Sequence, residues 1–435
     1  MPCPHASPEV LSALSRRDFL KSALAIGGGG ALSACVDRRG TPDVPRGPSN
    51  PSRLPDRQFA WNQFLPRDAH GNVDLPEHQL LLFFDYAGDG VPTDAEREQV
   101  EATLRDLERA YQPGNGGANP YSSAGREAPG LLFTVGYAPS YFDRYEGDLP
   151  VPLPRPADTL DRIDEPTDRA ASHEVGMVLV SDHVQVLLAA EEALRGNLDS
   201  VNGVGTSASF EGILERVERR TGFIGPGLPD ERLDTDDVPE SSPLSMGFKS
   251  NYRDGQATED RVTIQSGPFA GGTTQHVSRL ELDLDRWYDN PDDQRREQMF
   301  SPHHSAEEVG EVGRQLAGDS GVTRETVDRT EADAEEYGVV GHSQKVAAAR
   351  DDNFEPTMLR RSEGVSTDAE TPGFNFTALQ RRIERFVEVR QAMNESYGVA
   401  DDDDGIRGYI EATSRTNLLI PPRELRALPP ADPSA

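Results

Sequence analysis

Thiols are nearly missing from this chain: Cys3 and Cys35 are the only two among 435 residues. Both fall in the first 35 residues, so the rest of the chain can build neither an internal disulfide nor a thiolate metal centre nor an iron–sulfur cluster. Any metal there must be held by histidine, carboxylate or a cofactor. Lysine is almost absent too, with Lys21, Lys249 and Lys345 alone, so nearly all positive charge is arginine. Positive charge is itself scarce: the formal net charge is −31, and acid is spread along the whole length, as in Asp401 to Asp404. Phosphates would meet a uniformly negative face, which argues against nucleic acid as a partner. Such a surface repels itself in low salt, whereas at molar salt a Debye length of about 3 Å screens the repulsion. The composition reads as adaptation to strong brine.

What is present begins with an address. Ser15-Arg16-Arg17-Asp18-Phe19-Leu20-Lys21 precedes an apolar stretch that ends in Leu32-Ser33-Ala34-Cys35. This resembles a twin-arginine export signal followed by a lipoprotein cleavage box. The core, with Gly27 to Gly30 inside it, is too short and glycine-rich for a stable membrane span. Cys35 is expected to carry lipid at the mature N-terminus, which predicts an exported protein anchored on the outer face of the cytoplasmic membrane. The twin-arginine route carries folded proteins, often with a cofactor loaded, so a cofactor is to be looked for.

The rest divides into a tether over 36–75, two domains over 76–240 and 241–415, and a loose tail over 416–435. The tether is read from its Pro, Arg, Asp and Gly content. In the first domain, strands are predicted over 80–86, 130–137 and 175–181. A capping box at Thr93-Asp94-Ala95-Glu96 starts a helix to about Ala110. Asp182 is expected to cap a helix through Leu194, and 210–219 is expected to be helical. The second domain repeats the plan, with strands over 262–265, 276–284 and 374–378, helices over 294–300 and 306–317, and a long helix over 379–393. The order predicts an α+β class of two ferredoxin-like halves with antiparallel sheets, related to the dimeric α+β barrel.

Nine histidines occur, and most read as surface or hydrogen-bonded residues; His303-His304 has no third metal ligand at useful spacing. His342 differs by its context. Gly341-His342-Ser343-Gln344 stands eighteen residues before Arg360 of Leu359-Arg360-Arg361. Upstream lies Gly247-Phe248-Lys249 with Asn251-Tyr252-Arg253-Asp254-Gly255, and downstream Gly373-Phe374-Asn375-Phe376 leads to Gln380-Arg381-Arg382. In this order the set resembles the dye-decolorizing peroxidase family, including its exported deferrochelatase-type branch. The resemblance implies haem b in the second half, His342 as axial ligand of its iron, Asp254 as distal acid/base, and Arg360 as a distal cation that also contacts the haem site. It further implies hydrogen peroxide as substrate, an unidentified electron donor, and assembly of identical copies.

The residue types suit that chemistry. Neutral imidazole is a good axial ligand for ferric haem. A carboxylate can move a proton between the two peroxide oxygens, and an arginine stabilises developing anionic charge. The chain departs from the family pattern around Asp254, where Ser250 to Arg253 are extra and Asn251 replaces a glycine. Two other readings therefore stand beside the peroxidase: a haem- or porphyrin-binding lipoprotein without turnover, and a cofactor-free lipoprotein that keeps the fold. Trp61, Trp287, Tyr252 and Tyr288 read as packing residues ahead of electron relays.

Overall fold

The structure is a computed structural model that describes residues 44–114, 130–147, 149–227, 238–366, 368 and 371–434. The export signal and Cys35 lie outside the described residues. Eight strands form one closed barrel: β1 His78–Tyr86, β2 Leu132–Tyr137, β3 Val175–Ser181, β4 Leu214–Phe223, β5 Thr273–Leu282, β6 Leu359–Ser366, β7 Gly373–Gln380 and β8 Ile410–Ile420. All neighbours run antiparallel, in the order β1-β3-β2-β8-β5-β7-β6-β4. Each run of four is ordered fourth-first-third-second, the ferredoxin-like arrangement expected from the sequence. The halves join where β2 meets β8 and β4 meets β6, so the sheet has no free edge.

The continuous apolar run of β1 follows from burial on both faces. Leu80, Leu82 and Phe84 belong to a core cluster that includes Leu104 and Leu107 of helix α1 (Asp94–Ala110) and Leu187 and Leu194 of helix α2 (Val184–Leu194). Leu81 and Phe83 point to the other face, against Trp61 and Leu418. Thr93 caps α1 as expected, with Thr93 N donating to Glu96 Oε2 at 2.7 Å. Asp182 does not cap α2: its Oδ1 accepts from Glu77 N at 2.9 Å, and the N-cap position is His183, without a side-chain cap.

Five other expectations are corrected. The segment 44–75 is no loose tether. Phe59 and Trp61 are buried, and Gln58 Nε2 donates to Val135 O and Pro421 O at 3.2 and 2.8 Å. Burying two such rings contributes about 1.5–3 kcal/mol each, enough to hold a proline-rich strap on the barrel. The segment 210–219 is mostly strand β4, because pairing with β1 and β6 overrides the helix propensity of its Glu and Arg. The segment 262–265 is no strand and follows a single helical turn, Glu259–Val262. The long helix starts later than predicted: β7 runs to Gln380, and the helix after it is Glu384–Asn394. The tail 416–435 begins inside β8, and Leu428 beyond it is buried.

Candidate functional site

A cavity of about 250 Å³ opens against the sheet of the second half. In the first half, α1 and α2 press Leu and Val side chains onto the corresponding sheet layer. In the second, Leu280 and Leu282 of β5, Phe374 and Phe376 of β7 and Ile410 and Ala412 of β8 face open space instead. Helix α3 (His342–Ala347) and helix α4 (Glu384–Asn394) wall the other sides. Met246, Met299, Met358 and Met393, four of the six methionines in the chain, also line it; thioethers are soft, polarizable fillers for an apolar site.

His342 sits at the first position of α3 and lines the cavity. Two glycines put it there. A Cβ on Gly341 would lie 1.9 Å from Phe300 O, so only glycine lets α3 start this close to the preceding turn. Gly405, at φ +66°, lies behind His342, where a Cβ would stand 3.2 Å from the His342 Cα and N. Gly405→Ala should therefore cost about 1–3 kcal/mol of stability and displace α3, a loss read by chemical denaturation. Gln344 anchors the helix from below, donating through Nε2 to Asp333 Oδ2 and Thr326 O, each at 2.7 Å.

The imidazole of His342 makes no hydrogen bond among the described residues. Burial first, then the positive charge of Arg360, Lys345 and Arg390, holds its pKa down at about 3. It is a neutral ring with a lone pair available. Lys345, on the same helix, is buried in an ion pair with Asp404 and leaves the imidazole alone.

Arg360 also reaches this cavity. A register shift in the β6–β7 pairing falls between Arg360 and Ser362. Arg361 turns to the opposite side, buried against Glu259, Asn62 Oδ1 and Phe59 O. Arg360 Nη2 donates to Ser250 O at 2.7 Å, and its backbone N–H donates to Gln256 Oε1 at 2.9 Å. Ser250, ahead of the turn that carries Asp254, thus holds the guanidinium.

Asp254 is not brought to the same wall. It lies in a 3₁₀ turn, Arg253–Gly255, whose Gly255 borders the cavity. Its carboxylate is forked by Arg253 at 2.9 and 3.0 Å and is about half exposed, at 48%. That hydrogen-bonded arginine lowers its pKa.

Nothing in the sequence pattern marks four further cavity arginines. Arg390 and Arg415 come from α4 and β8, and both bond Glu165 of the first half, at 3.1 Å and 2.6 Å. Arg350 reaches back to Asp254 O at 3.3 Å. With Lys249, Arg360 and Arg407, six cationic side chains line the cavity, and no Asp or Glu does among the described residues. In a chain of net charge −31 this is a local inversion. An apolar interior, a neutral unpartnered imidazole and an acid-free cationic wall fit a flat apolar macrocycle bearing carboxylates and an iron that needs one axial nitrogen. Among the described residues there is no group of three or more His, Cys, Asp or Glu that could hold a bare metal ion.

Among solved structures, the dye-decolorizing protein from V. cholerae is similar over 84% of this chain and 98% of its own, at 14% identity and a TM-score of 0.51. A DyP-type peroxidase from Cellulomonas bogoriensis is 17% identical, with 80% and 90% covered and a TM-score of 0.48. A DypB variant from Rhodococcus jostii in complex with heme is 14% identical, with 81% and 96% covered and a TM-score of 0.47. The likeness to the V. cholerae protein shows the fold. No curated protein matches the chain. A family model described as a family of unknown function, DUF7405, matches residues 76–422, from the start of β1 to the end of β8. The chain belongs to the DUF7405 family, on the two-half α+β barrel fold shared with the V. cholerae dye-decolorizing protein.

Proposed function

We propose that this protein is a haem-dependent peroxidase, with His342 as axial ligand of haem b and Arg360 as the cation beside bound peroxide. The observation that carries it is the neutral, unpartnered imidazole sharing one acid-free cavity with that guanidinium. When bound, the iron and its macrocycle supply the redox chemistry. Reduction of hydrogen peroxide to two waters takes two electrons and two protons, the electrons coming from a reductant outside the chain. His342 supplies a lone pair at any ordinary pH. Arg360, fixed by Ser250 O and Gln256, holds positive charge where a peroxide anion develops without having to swing into place. Asp254 has to leave Arg253 before it can carry a proton. Lipid on Cys35 would keep the enzyme on the outer face of the membrane after twin-arginine export, in strong brine.

One observation favours a second reading, haem or porphyrin binding without turnover: no carboxylate stands on the cavity wall among the described residues, and Asp254 is engaged elsewhere. An absorption spectrum of protein from its native host in high salt, before and after hydrogen peroxide, separates the two. A Soret band that shifts within seconds supports the peroxidase. A static band favours the binding protein. Absence of any band sinks both and leaves a cofactor-free protein on this fold. If turnover is seen, Arg360→Ala should keep haem and slow peroxide reduction about 10²-fold by stopped flow.

A further inference from the structure

A second cavity of about 250 Å³ lies beyond the wall of the first, with Thr357 lining both. Its other lining residues are Arg261, Asp351, Arg381, Arg382 and Arg385. Four guanidinium groups around one carboxylate is the reverse of the balance over the whole chain. The partners show how much charge is left over. Arg261 is paired with Asp351. Arg385 bonds Glu388 at 2.5 Å. Among the described residues Arg381 has only a neutral partner, its Nε donating to Thr263 O at 2.9 Å. The side chain of Arg382 makes no hydrogen bond or ion pair among the described residues; Glu384, which feels its charge, is already forked by Arg162. Two positive charges therefore stand without a paired acid, side by side, where the chain turns from β7 into α4. The helix adds to the field, because α4 has no side-chain N-cap and its positive end faces the same turn. Thr357 Oγ1 is buried and makes no hydrogen bond, a polar atom in want of a partner on the shared wall.

We infer that this second cavity binds a small dianion, an oxyanion or dicarboxylate, through Arg381 and Arg382. The charge deficit sets the valence at two. Planar guanidinium forks favour oxygen anions that accept paired hydrogen bonds. The brine setting sharpens the point: with the Debye length near about 3 Å, simple attraction is screened, and a ligand must win by direct bidentate contact over monovalent chloride. The site stands whether or not haem occupies the larger cavity.

The test is calorimetric titration of the purified full chain with inorganic phosphate and, separately, malonate, at fixed high sodium chloride. Wild-type protein should show saturable one-to-one binding of at least one of them, and the tighter of the two identifies the ligand class. Arg381→Gln and Arg382→Gln should each weaken it tenfold or more, while Arg155→Gln, whose side chain pairs with Asp143 and does not line the cavity, should not. Arg382 is exposed and its side chain makes no hydrogen bond among the described residues, so its variant keeps the fold, which far-UV circular dichroism verifies. Absence of saturable binding with either anion, or equal affinity in Arg382→Gln, would overturn the assignment.

Discussion

Replacing His342 by alanine should give a folded protein that no longer holds haem. The fold survives because α3 does not depend on the imidazole. Gln344 ties the helix to Asp333 and Thr326, and Lys345 ties it to Asp404. The ring makes no hydrogen bond among the described residues that its loss would orphan, and it faces space rather than packed core. On the proposed function haem loses its axial nitrogen, so affinity should fall at least about 100-fold. Reconstitution with hemin, followed at the Soret band, measures the loss. Imidazole added at millimolar concentration should restore part of the band, because the truncated side chain leaves room for it. Full haem stoichiometry in His342→Ala would disprove the ligand assignment, whatever the peroxide chemistry proves to be.

What was legible in the sequence, and what was not, divides along physical lines. Strand existence in the first half was plain, since two-sided burial writes continuous runs such as Leu80 to Phe84. The order of their flanking motifs singled out His342 and Arg360, and both line the cavity. Asp254 was singled out in the same way, yet its carboxylate is forked by Arg253 and does not line the cavity. A motif fixes residue types, and the neighbouring side chains decide where each one points. Arg390 and Arg415 could not be read at all. Each looks like ordinary charge in a chain whose cations are nearly all arginine, and only the barrel closure brings Glu165 of the first half between them. Strand β4 was missed for a related reason. Glu215, Arg216, Glu218 and Arg219 carry no apolar alternation, and the strand is defined by its neighbours β1 and β6 rather than by its own pattern.

The largest stability effect should come from the segment that composition presented as a tail. Arg426 is 1% exposed and lies between Glu101 and Glu108 of α1, with Nε 3.0 Å from Glu101 Oε2 and Nη2 3.0 Å from Glu108 Oε2. Around it the chain is stitched to the first half. Tyr137 Oη donates to Arg426 O at 2.6 Å and accepts from Leu428 N at 2.8 Å, while Tyr141 Oη donates to Pro429 O at 3.0 Å. Arg426→Ala removes the buried guanidinium that bonds both Glu101 and Glu108 and leaves Glu108 with Arg423 as its remaining counter-charge, which costs about 3 kcal/mol, the low end for breaking a buried pair. Guanidinium-induced unfolding of the haem-free protein should show it as an earlier midpoint. The control is the triple variant Glu108→Gln with Arg423→Met and Arg426→Met, which removes the buried charges together and should recover most of the loss. Salt decides between a clamp and a surface tether. A buried pair is shielded from screening, so the penalty should persist at molar salt, whereas an exposed pair such as Arg155–Asp143 should lose even its small contribution there. A penalty under about 1 kcal/mol at high salt would be the behaviour of an exposed pair and would mean that residues beyond β8 hang on the barrel without supporting it.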